Sequence, residues 1–125
     1  MPNLETIAGS EAFRDTALTE IDLPKLKSLP AYTFIGSTNL SYISIPECTY
    51  IAERAFGTCK SMPYLSAPKV SVFGPNIFGS NSSAIISEIY APQVISIEAS
   101  AFVGCPSLKR FVAGPSLLKI GSYAF

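Results

Sequence analysis

The sequence contains no histidine and no tryptophan, and its three cysteines form no CxxC pair. Without histidine there is no Ser-His or Cys-His catalytic pair and no histidine-rich metal site. The odd number of cysteines argues against a disulfide framework, and the missing CxxC pair argues against a zinc site. No apolar run reaches the roughly 18 residues of a membrane-spanning helix. We therefore expect no enzyme activity, no metal or other cofactor, and no membrane insertion.

Charged residues are also scarce. Only 14% of the chain is charged, and nine basic residues balance nine acidic ones. A nucleic-acid-binding surface needs clustered basic residues, so we expect no nucleic-acid partner. Residues 1–20 lack the basic start and apolar middle of a signal peptide. By contrast, 48% of the residues are apolar, which suits a single domain in which every segment contacts a continuous core.

A phenylalanine recurs along the chain at a nearly constant interval. It stands at Phe13, Phe34, Phe56, Phe78, Phe102 and Phe125, with steps of 21, 22, 22, 24 and 23 residues. Self-similarity with a period of about 20 to 50 residues is typical of repeat architectures such as solenoids. The chain divides into a half copy, 1–13, and five copies, 14–34, 35–56, 57–78, 79–102 and 103–125.

Apolar residues occupy fixed positions within each copy, following the rule LxxIxLPxLxxIxxxxF. The segment before the proline alternates as a half-buried strand does, and the proline ends it by removing a hydrogen-bond donor. A second, shorter strand fits after the proline, and the few residues before the phenylalanine suffice only for a tight or 3₁₀ turn. The repeat predicts a mainly β, leucine-rich-repeat-like, right-handed solenoid with parallel β-sheets, short 3₁₀ turns and little or no α-helix.

Stacking of the coils assigns most of the conspicuous residues to the interior. Phenylalanines one coil apart lie about 5 Å from each other, so we expect all six to form one continuous spine in the core. Cys48 falls in a core column. Cys59 and Cys105 share a corner column two coils apart, which is beyond the reach of a disulfide. We therefore expect three free, mostly buried thiols.

The succession of strand, proline, return, Ala-Phe dipeptide and Gly-Cys corner resembles the BspA-like leucine-rich repeats. It is carried by IAERAFGTCKSM, IEASAFVGCPSL and IGSYAF, and the resemblance covers essentially the whole chain. The third and fourth copies depart from the motif, because Ile77 replaces alanine before Phe78 and the corner at 79–84 is two residues longer and more polar. We expect that corner to bulge out as a flexible loop.

The resemblance implies a surface-exposed or secreted interaction protein of a microbe that uses its repeats for adhesion. Reported partners of the family include extracellular-matrix and plasma proteins, so a host protein of that kind is the partner that the resemblance implies. It also implies an extracellular or cell-surface location. The family has no known catalytic residues, so the resemblance transfers none.

The outward positions of the longer strands are the predicted binding surface. One outward column contains Glu20, Tyr42, Tyr64, Glu88 and Arg110. The next contains Asp22, Ser44, Ser66, Tyr90 and Val112. Tyrosine and arginine are favoured at interface hot spots, so the residues that we select for partner binding are Glu20, Tyr42, Tyr64, Glu88, Tyr90 and Arg110. Packing of neighbouring rings across strands, without any ligand, is the alternative explanation for the tyrosines.

Three functions remain open from the sequence. The leading hypothesis is a non-enzymatic protein-binding or adhesion module that binds through the outward residues of the stacked strands. The alternatives are a structural spacer or assembly element with no ligand of its own, and glycan binding by the exposed tyrosines. Neither end carries the polar cap that solenoids use to shield their core, so we expect a piece of a longer array or self-association end to end.

Overall fold

The computed structural model describes residues 1–79 and 83–125 and shows a β-solenoid. Each full coil contributes one longer strand before its proline, here called the principal strand, and one two-residue strand after it. The described residues contain no helix, so the expected mainly β solenoid with parallel sheets is confirmed. Three residues of the corner that we expected to bulge, 80–82, lie outside the described part of the chain.

Ten strands follow one another in the described residues. The principal strands are β1 (Glu20–Asp22), β3 (Tyr42–Ser44), β5 (Tyr64–Ser66), β7 (Glu88–Ala91) and β9 (Arg110–Ala113). The shorter strands are β2 (Ser28–Leu29), β4 (Tyr50–Ile51), β6 (Val72–Phe73), β8 (Ser96–Ile97) and β10 (Lys119–Ile120). The second strand that the sequence suggested is therefore present in every full coil.

The shorter strands form a continuous parallel sheet of five, here called the second sheet, in the order β2-β4-β6-β8-β10. Its apolar residues are in register from coil to coil, as Leu29, Ile51 and Phe73 show in the first three strands. Because each coil has the same length between its proline and this strand, identical positions stack and their side chains alternate between core and solvent. The second sheet therefore closes one side of the core along the whole solenoid.

The principal strands are also parallel and in register, but they are hydrogen-bonded in two groups, β1-β3 and β5-β7-β9. Pro63 stands where the interruption begins and removes one of the hydrogen bonds. At its position in other coils, the Ser41 N–H donates to the Thr19 carbonyl at 2.8 Å and the Ser87 N–H donates to the Pro63 carbonyl at 2.9 Å. Pro63 has no N–H to donate to Ser41. β3 and β5 lie side by side without a ladder between them.

The phenylalanines form two groups of rings, so the prediction of one continuous spine is wrong at one step. Phe13, Phe34, Phe56 and Phe78 stack with centroids 5.2 to 5.8 Å apart. In the described part of the chain no ring contact joins Phe78 to Phe102. Phe102 instead contacts Phe73 at 5.2 Å and belongs to a cluster completed by Phe111 and Phe125.

Two features coincide with the break in the stack. The step from Phe78 to Phe102 is the longest of the five, at 24 residues. The residue before Phe78 is Ile77, which is fully buried and larger than the alanine found before Phe56 and Phe102. A close-packed interior cannot absorb three extra carbons without displacing neighbouring side chains. The departures from the repeat motif therefore fall where the ring stack changes partners.

The turn before each phenylalanine has a left-handed residue two positions ahead of the ring, for example Tyr32 (φ 60°), Arg54 (φ 49°) and Ser100 (φ 59°). A 3₁₀ turn needs φ between about −50° and −70°, so it cannot continue through such a residue. Of the expected tight or 3₁₀ turns, the structure therefore has tight hydrogen-bonded turns, such as the one in which the Ala55 N–H donates to the Ala52 carbonyl at 3.3 Å.

The positions that the repeat rule assigns to the core are buried in the middle coils but partly exposed at the two ends of the solenoid. Phe34, Phe56 and Phe78 are fully buried. By contrast, Phe125 is 59% exposed and Ile120 is 56% exposed, and Phe13 is half-buried. Leu18, which the column rule also places inside, is 37% exposed. A core position is covered only where coils lie on both sides of it.

Candidate functional site

The structure places all six predicted binding residues on the outward side of the principal strands, here called the principal face. Glu20 is the register partner of Tyr42. Tyr64, Glu88 and Arg110 are successive partners in the other group of strands. They alternate with buried residues such as Ile43 and Leu65, because successive side chains of a strand point to opposite faces. The principal face therefore presents these side chains away from the core.

The six residues are not one compact cluster. Tyr90 lies in the neighbouring column, where its register partners are Ser66 and Val112, so it stands beside Glu88 and Arg110 rather than beside the other two tyrosines. Glu88 is half-buried, whereas the other five residues are exposed. Tyr42 and Tyr64 face each other across the interruption at Pro63. The face is thus an extended strip that crosses five coils.

The tyrosine rings do not pack on one another. Tyr42 is 56% exposed, Tyr64 is 44% exposed and Tyr90 is 38% exposed. All the ring contacts in the described residues join phenylalanines of the interior. No hydroxyl of these three tyrosines makes a hydrogen bond within the described chain. Cross-strand packing therefore does not occupy the rings, which remain accessible to a partner.

Two concavities adjoin Tyr42 on the principal face. One has a volume of about 370 Å³ and is lined by Glu20, Ile21, Asp22, Tyr42 and Ser44. The other, of about 100 Å³, lies between Tyr42 and Tyr64 and is bordered by Ser44, Ser66, Pro46 and Pro68. Asp22, Ser44 and Ser66 were left out of the predicted site. Their place in the second outward column was the signal that could have included them, because two adjacent columns line the same groove.

The charges of the principal face have no ion-pair partner in the described chain, in contrast to most charges elsewhere. Glu47 pairs with Lys69 at 2.6 Å and with Lys27 at 3.6 Å. Glu98 pairs with Lys119 at 3.4 Å. Glu20, Asp22, Glu88 and Arg110 form no such pair, even though Glu88 and Arg110 are register partners. These four charged side chains are left to solvent or to a ligand.

The three cysteines are free, as expected, and none resembles an activated nucleophile. Burial raises the pKa of Cys48 to about 11, of Cys59 to about 12 and of Cys105 to about 11. The thiolate, which is the reactive form, is therefore scarce at neutral pH. Cys48 and Cys59 are buried as predicted, but Cys105 is only half-buried because it lies in the last coil.

Cys59 has a structural role that Ser37 fills one coil earlier. The Ser37 hydroxyl donates to the Phe13 carbonyl at 2.8 Å, and the Cys59 thiol donates to the Phe34 carbonyl at 3.3 Å. Each side chain thus donates a hydrogen bond to the main-chain carbonyl of the phenylalanine in the preceding coil. Serine and cysteine are nearly the same size, which explains why either residue fits this corner position. The column serves the fold and offers no reactive group.

No group of three or more metal-ligating side chains lies together in the residues that the structure describes. No helix among them is long and apolar enough to cross a bilayer. The concave, unpaired principal face is therefore the strongest candidate site in the described part of the molecule.

Comparison with known proteins gives one family. A family model described as BspA type leucine-rich repeat region matches residues 6–125 in six copies. No curated protein and no solved structure matches the chain.

Proposed function

The chain belongs to the BspA-type leucine-rich repeat family, and from that premise we propose that it is a non-enzymatic protein-binding and adhesion module of a surface-exposed or secreted microbial protein. Leucine-rich repeat solenoids are generally scaffolds that present an extended surface to other proteins. The proposal places the binding surface on the principal face, with Glu20, Tyr42, Tyr64, Glu88, Tyr90 and Arg110 as contact residues.

One observation carries the proposal: the principal face combines three exposed tyrosines with four charged side chains that have no ion-pair partner in the described chain. Aromatic residues and arginine dominate the binding energy of protein interfaces. Because none of these tyrosine rings stacks on another ring, a partner can cover their exposed surface without breaking a ring–ring contact. The concavities on either side of Tyr42 offer places for the partner's side chains.

The family resemblance supports a partner among extracellular-matrix or plasma proteins of a host. Such a partner requires the module to lie outside the cell, which agrees with the surface or secreted location typical of the family.

The proposal is tested by measuring binding of the purified chain to a panel of extracellular-matrix and plasma proteins and to a glycan array. The variant that carries Tyr42→Ser and Tyr64→Ser should weaken binding by at least about tenfold, since hot-spot aromatics contribute that much or more. The matched control carries Tyr50→Ser and Tyr123→Ser, which remove two exposed tyrosines from outside the principal face.

Four outcomes separate the functions. Loss of protein binding in the face variant alone supports the proposal. Equal binding by the wild type and the face variant contradicts the proposed surface. Binding to glycans but to no protein supports the glycan alternative, and binding to nothing in either panel supports the spacer function.

A further inference from the structure

The charges of the principal face are separated by sign along the solenoid. Glu20 and Asp22 lie on β1, at one side of the face. Arg110 begins β9 at the opposite side, and Lys109 directly precedes it. Glu88 on β7 is the exception, and Arg110 on β9 is the basic residue of the two outward columns. The tyrosines on β3 and β5 lie between the two charged sides.

Nothing within the described chain neutralises this separation. The carboxylates of Glu20 and Asp22 make no ion pair and no hydrogen bond, and neither does the guanidinium of Arg110. The ammonium group of Met1 lies nearby, but it donates to the main-chain carbonyl of Asp22 at 3.3 Å and not to the carboxylate. A ligand with the opposite order of charges would therefore meet unpaired groups at both sides of the face.

We infer that the principal face binds an extended segment of a partner protein in which a basic and an acidic residue are separated by five residues, the basic one over β1 and the acidic one over β9. The inference rests on the proposed function and names the chemistry of the partner. Neighbouring strands are about 4.8 Å apart, so β1 and β9 are about 19 Å apart. Six steps of an extended chain at about 3.3 Å each span about 20 Å, which matches this distance.

The basic residue is an arginine. The concavity of about 370 Å³ beside β1 has room for a long side chain, and it is walled by the carboxylates of Glu20 and Asp22 and by Tyr42. A guanidinium group can donate to both carboxylates, and its flat face can lie against the exposed phenol ring. Lysine has a single charged point and lacks the flat face, so it should bind this concavity less well.

The size of the face favours a linear segment over a folded partner or a second copy of the chain. Four spacings by three residues of strand give a footprint of about 19 Å by 10 Å, or about 200 Å². A stable interface between two folded proteins buries about 800 Å² on each partner. A seven-residue extended segment covers the smaller footprint without needing more of the surface.

The inference is tested with synthetic seven-residue peptides and the ¹⁵N-labelled full chain, using amide chemical shifts to measure and locate binding. One peptide has arginine first and glutamate last, with alanine and tyrosine between. Others have arginine at both ends, glutamate at both ends, lysine in place of arginine, or only two residues between arginine and glutamate. The arginine–glutamate peptide with five intervening residues should bind tightest, by about three- to fivefold for each misplaced charge, and should shift amides of both β1 and β9.

Charge-reversal variants make the test independent of absolute affinity. Arg110→Glu should transfer the preference to the peptide with arginine at both ends. Combining Glu20→Arg with Asp22→Arg should transfer it to the peptide with glutamate at both ends. Glu5→Gln, which changes an exposed carboxylate away from the face, is the matched control and should leave the preference unchanged.

Equal binding of all peptides, no binding of any, or a preference that the reversals leave unchanged would overturn the inference. A different result would assign the face to a second copy of the chain: a concentration-dependent dimer that Arg110→Glu abolishes and that the combination of Arg110→Glu, Glu20→Arg and Asp22→Arg restores. The proposed function fails separately, when the variant with Tyr42→Ser and Tyr64→Ser binds its protein partner as the wild type does. Loss of that binding together with equal peptide affinities would refute only the charge spacing.

Discussion

The two sides of the solenoid are built from the same repeat, yet they differ in how their strands pair and in whether their outward charged side chains form ion pairs. The second sheet runs unbroken through five coils, and Glu98 and Lys119 on that side form an ion pair. The principal face is interrupted at Pro63, and its charged side chains have no ion-pair partner in the described chain. The two sides differ in their outward side chains and in the ladder near Pro63, while the inward columns of both sides contribute to one core.

This contrast indicates where binding energy is available. Inward positions are fixed by stacking, since each one must fit against the same position in the next coil. Outward positions are free, and a charge that is already paired inside the protein offers less to a partner than an unpaired one. Exposed apolar residues alone do not distinguish the sides, because the second sheet also exposes Tyr50 and Ile95. The combination of open rings and unpaired charges is what sets the principal face apart.

The largest expected effect tests whether both sides share one core. Phe56→Ala removes a fully buried ring stacked between two others, so it should lower the free energy of unfolding by about 3–5 kcal/mol. Phe125→Ala is the matched control, since this ring is 59% exposed and should cost about 1 kcal/mol. Urea unfolding followed by circular dichroism measures both. Similar losses for the two variants would contradict the assignment of Phe56 to the core.

The second prediction concerns a substitution that restores the missing hydrogen-bond donor between β3 and β5. Pro63→Ser supplies an N–H opposite the Ser41 carbonyl, where neighbouring coils make this bond at 2.8 to 2.9 Å. A new hydrogen bond contributes about 0.5–1.5 kcal/mol, while losing the stiffness of proline costs about 0.4–1 kcal/mol, so overall stability should change little. Hydrogen exchange should nevertheless show protection of the new amide.

The control for this change is Pro106→Ser, which alters an exposed proline at a corner. Its new amide should exchange more rapidly than the one at position 63, because position 106 lies in a corner outside both sheets. If the amide at position 63 exchanged as fast as the one at position 106, Pro63 would not be removing a hydrogen bond between β3 and β5.

The smallest expected effect distinguishes carboxylates that form ion pairs within the protein from carboxylates that do not. The hydrogen bond from Lys69 lowers the pKa of Glu47 below its ordinary value of 4.5, and hydrogen bonds from Ser96 and Lys119 lower the pKa of Glu98 in the same way. A lowered pKa in the folded state means that the stabilisation is present above pH 4.5 and is lost as the pH falls below it.

The variant with Glu47→Gln and Glu98→Gln should therefore have a lower Tm than the wild type at neutral pH, with the difference shrinking as the pH falls below 4.5. Glu20→Gln, which changes a carboxylate without an ion pair, is the control and should leave the Tm profile close to that of the wild type. A constant difference between the double variant and the wild type at all pH values would show that these ion pairs contribute no stability.

Much of the fold could be predicted from the sequence because it depends on period alone. The spacing of the phenylalanines and the alternation around the prolines gave the solenoid, the register of the principal strands and the interior position of Cys48. The interruption at Pro63 needed a further step. A proline directly before a principal strand matters only once its nitrogen is known to face the Ser41 carbonyl of the coil before.

The sequence predicted which residues of the candidate site point outward, but it did not predict the concavities between them. Alternation places Tyr42 and Tyr64 outward, whereas the concavity beside Glu20 and Asp22 depends on how side chains of two columns are arranged. The missing ion pair between Glu88 and Arg110 likewise depends on side-chain conformation and not on register. The break between Phe78 and Phe102 was signalled by Ile77 and the longer step, but its consequence for the rings required their packing.

The central claim, that a partner binds the principal face and not the second sheet, is tested most directly by hydroxyl-radical footprinting of the chain with and without a bound panel protein. The chain's own tyrosines report on both sides in one measurement. Tyr42, Tyr64 and Tyr90 should be protected from oxidation in the complex, while Tyr50 and Tyr123 should react as they do in the free chain. Protection of Tyr50 with no change at Tyr42 and Tyr64 would contradict the claim.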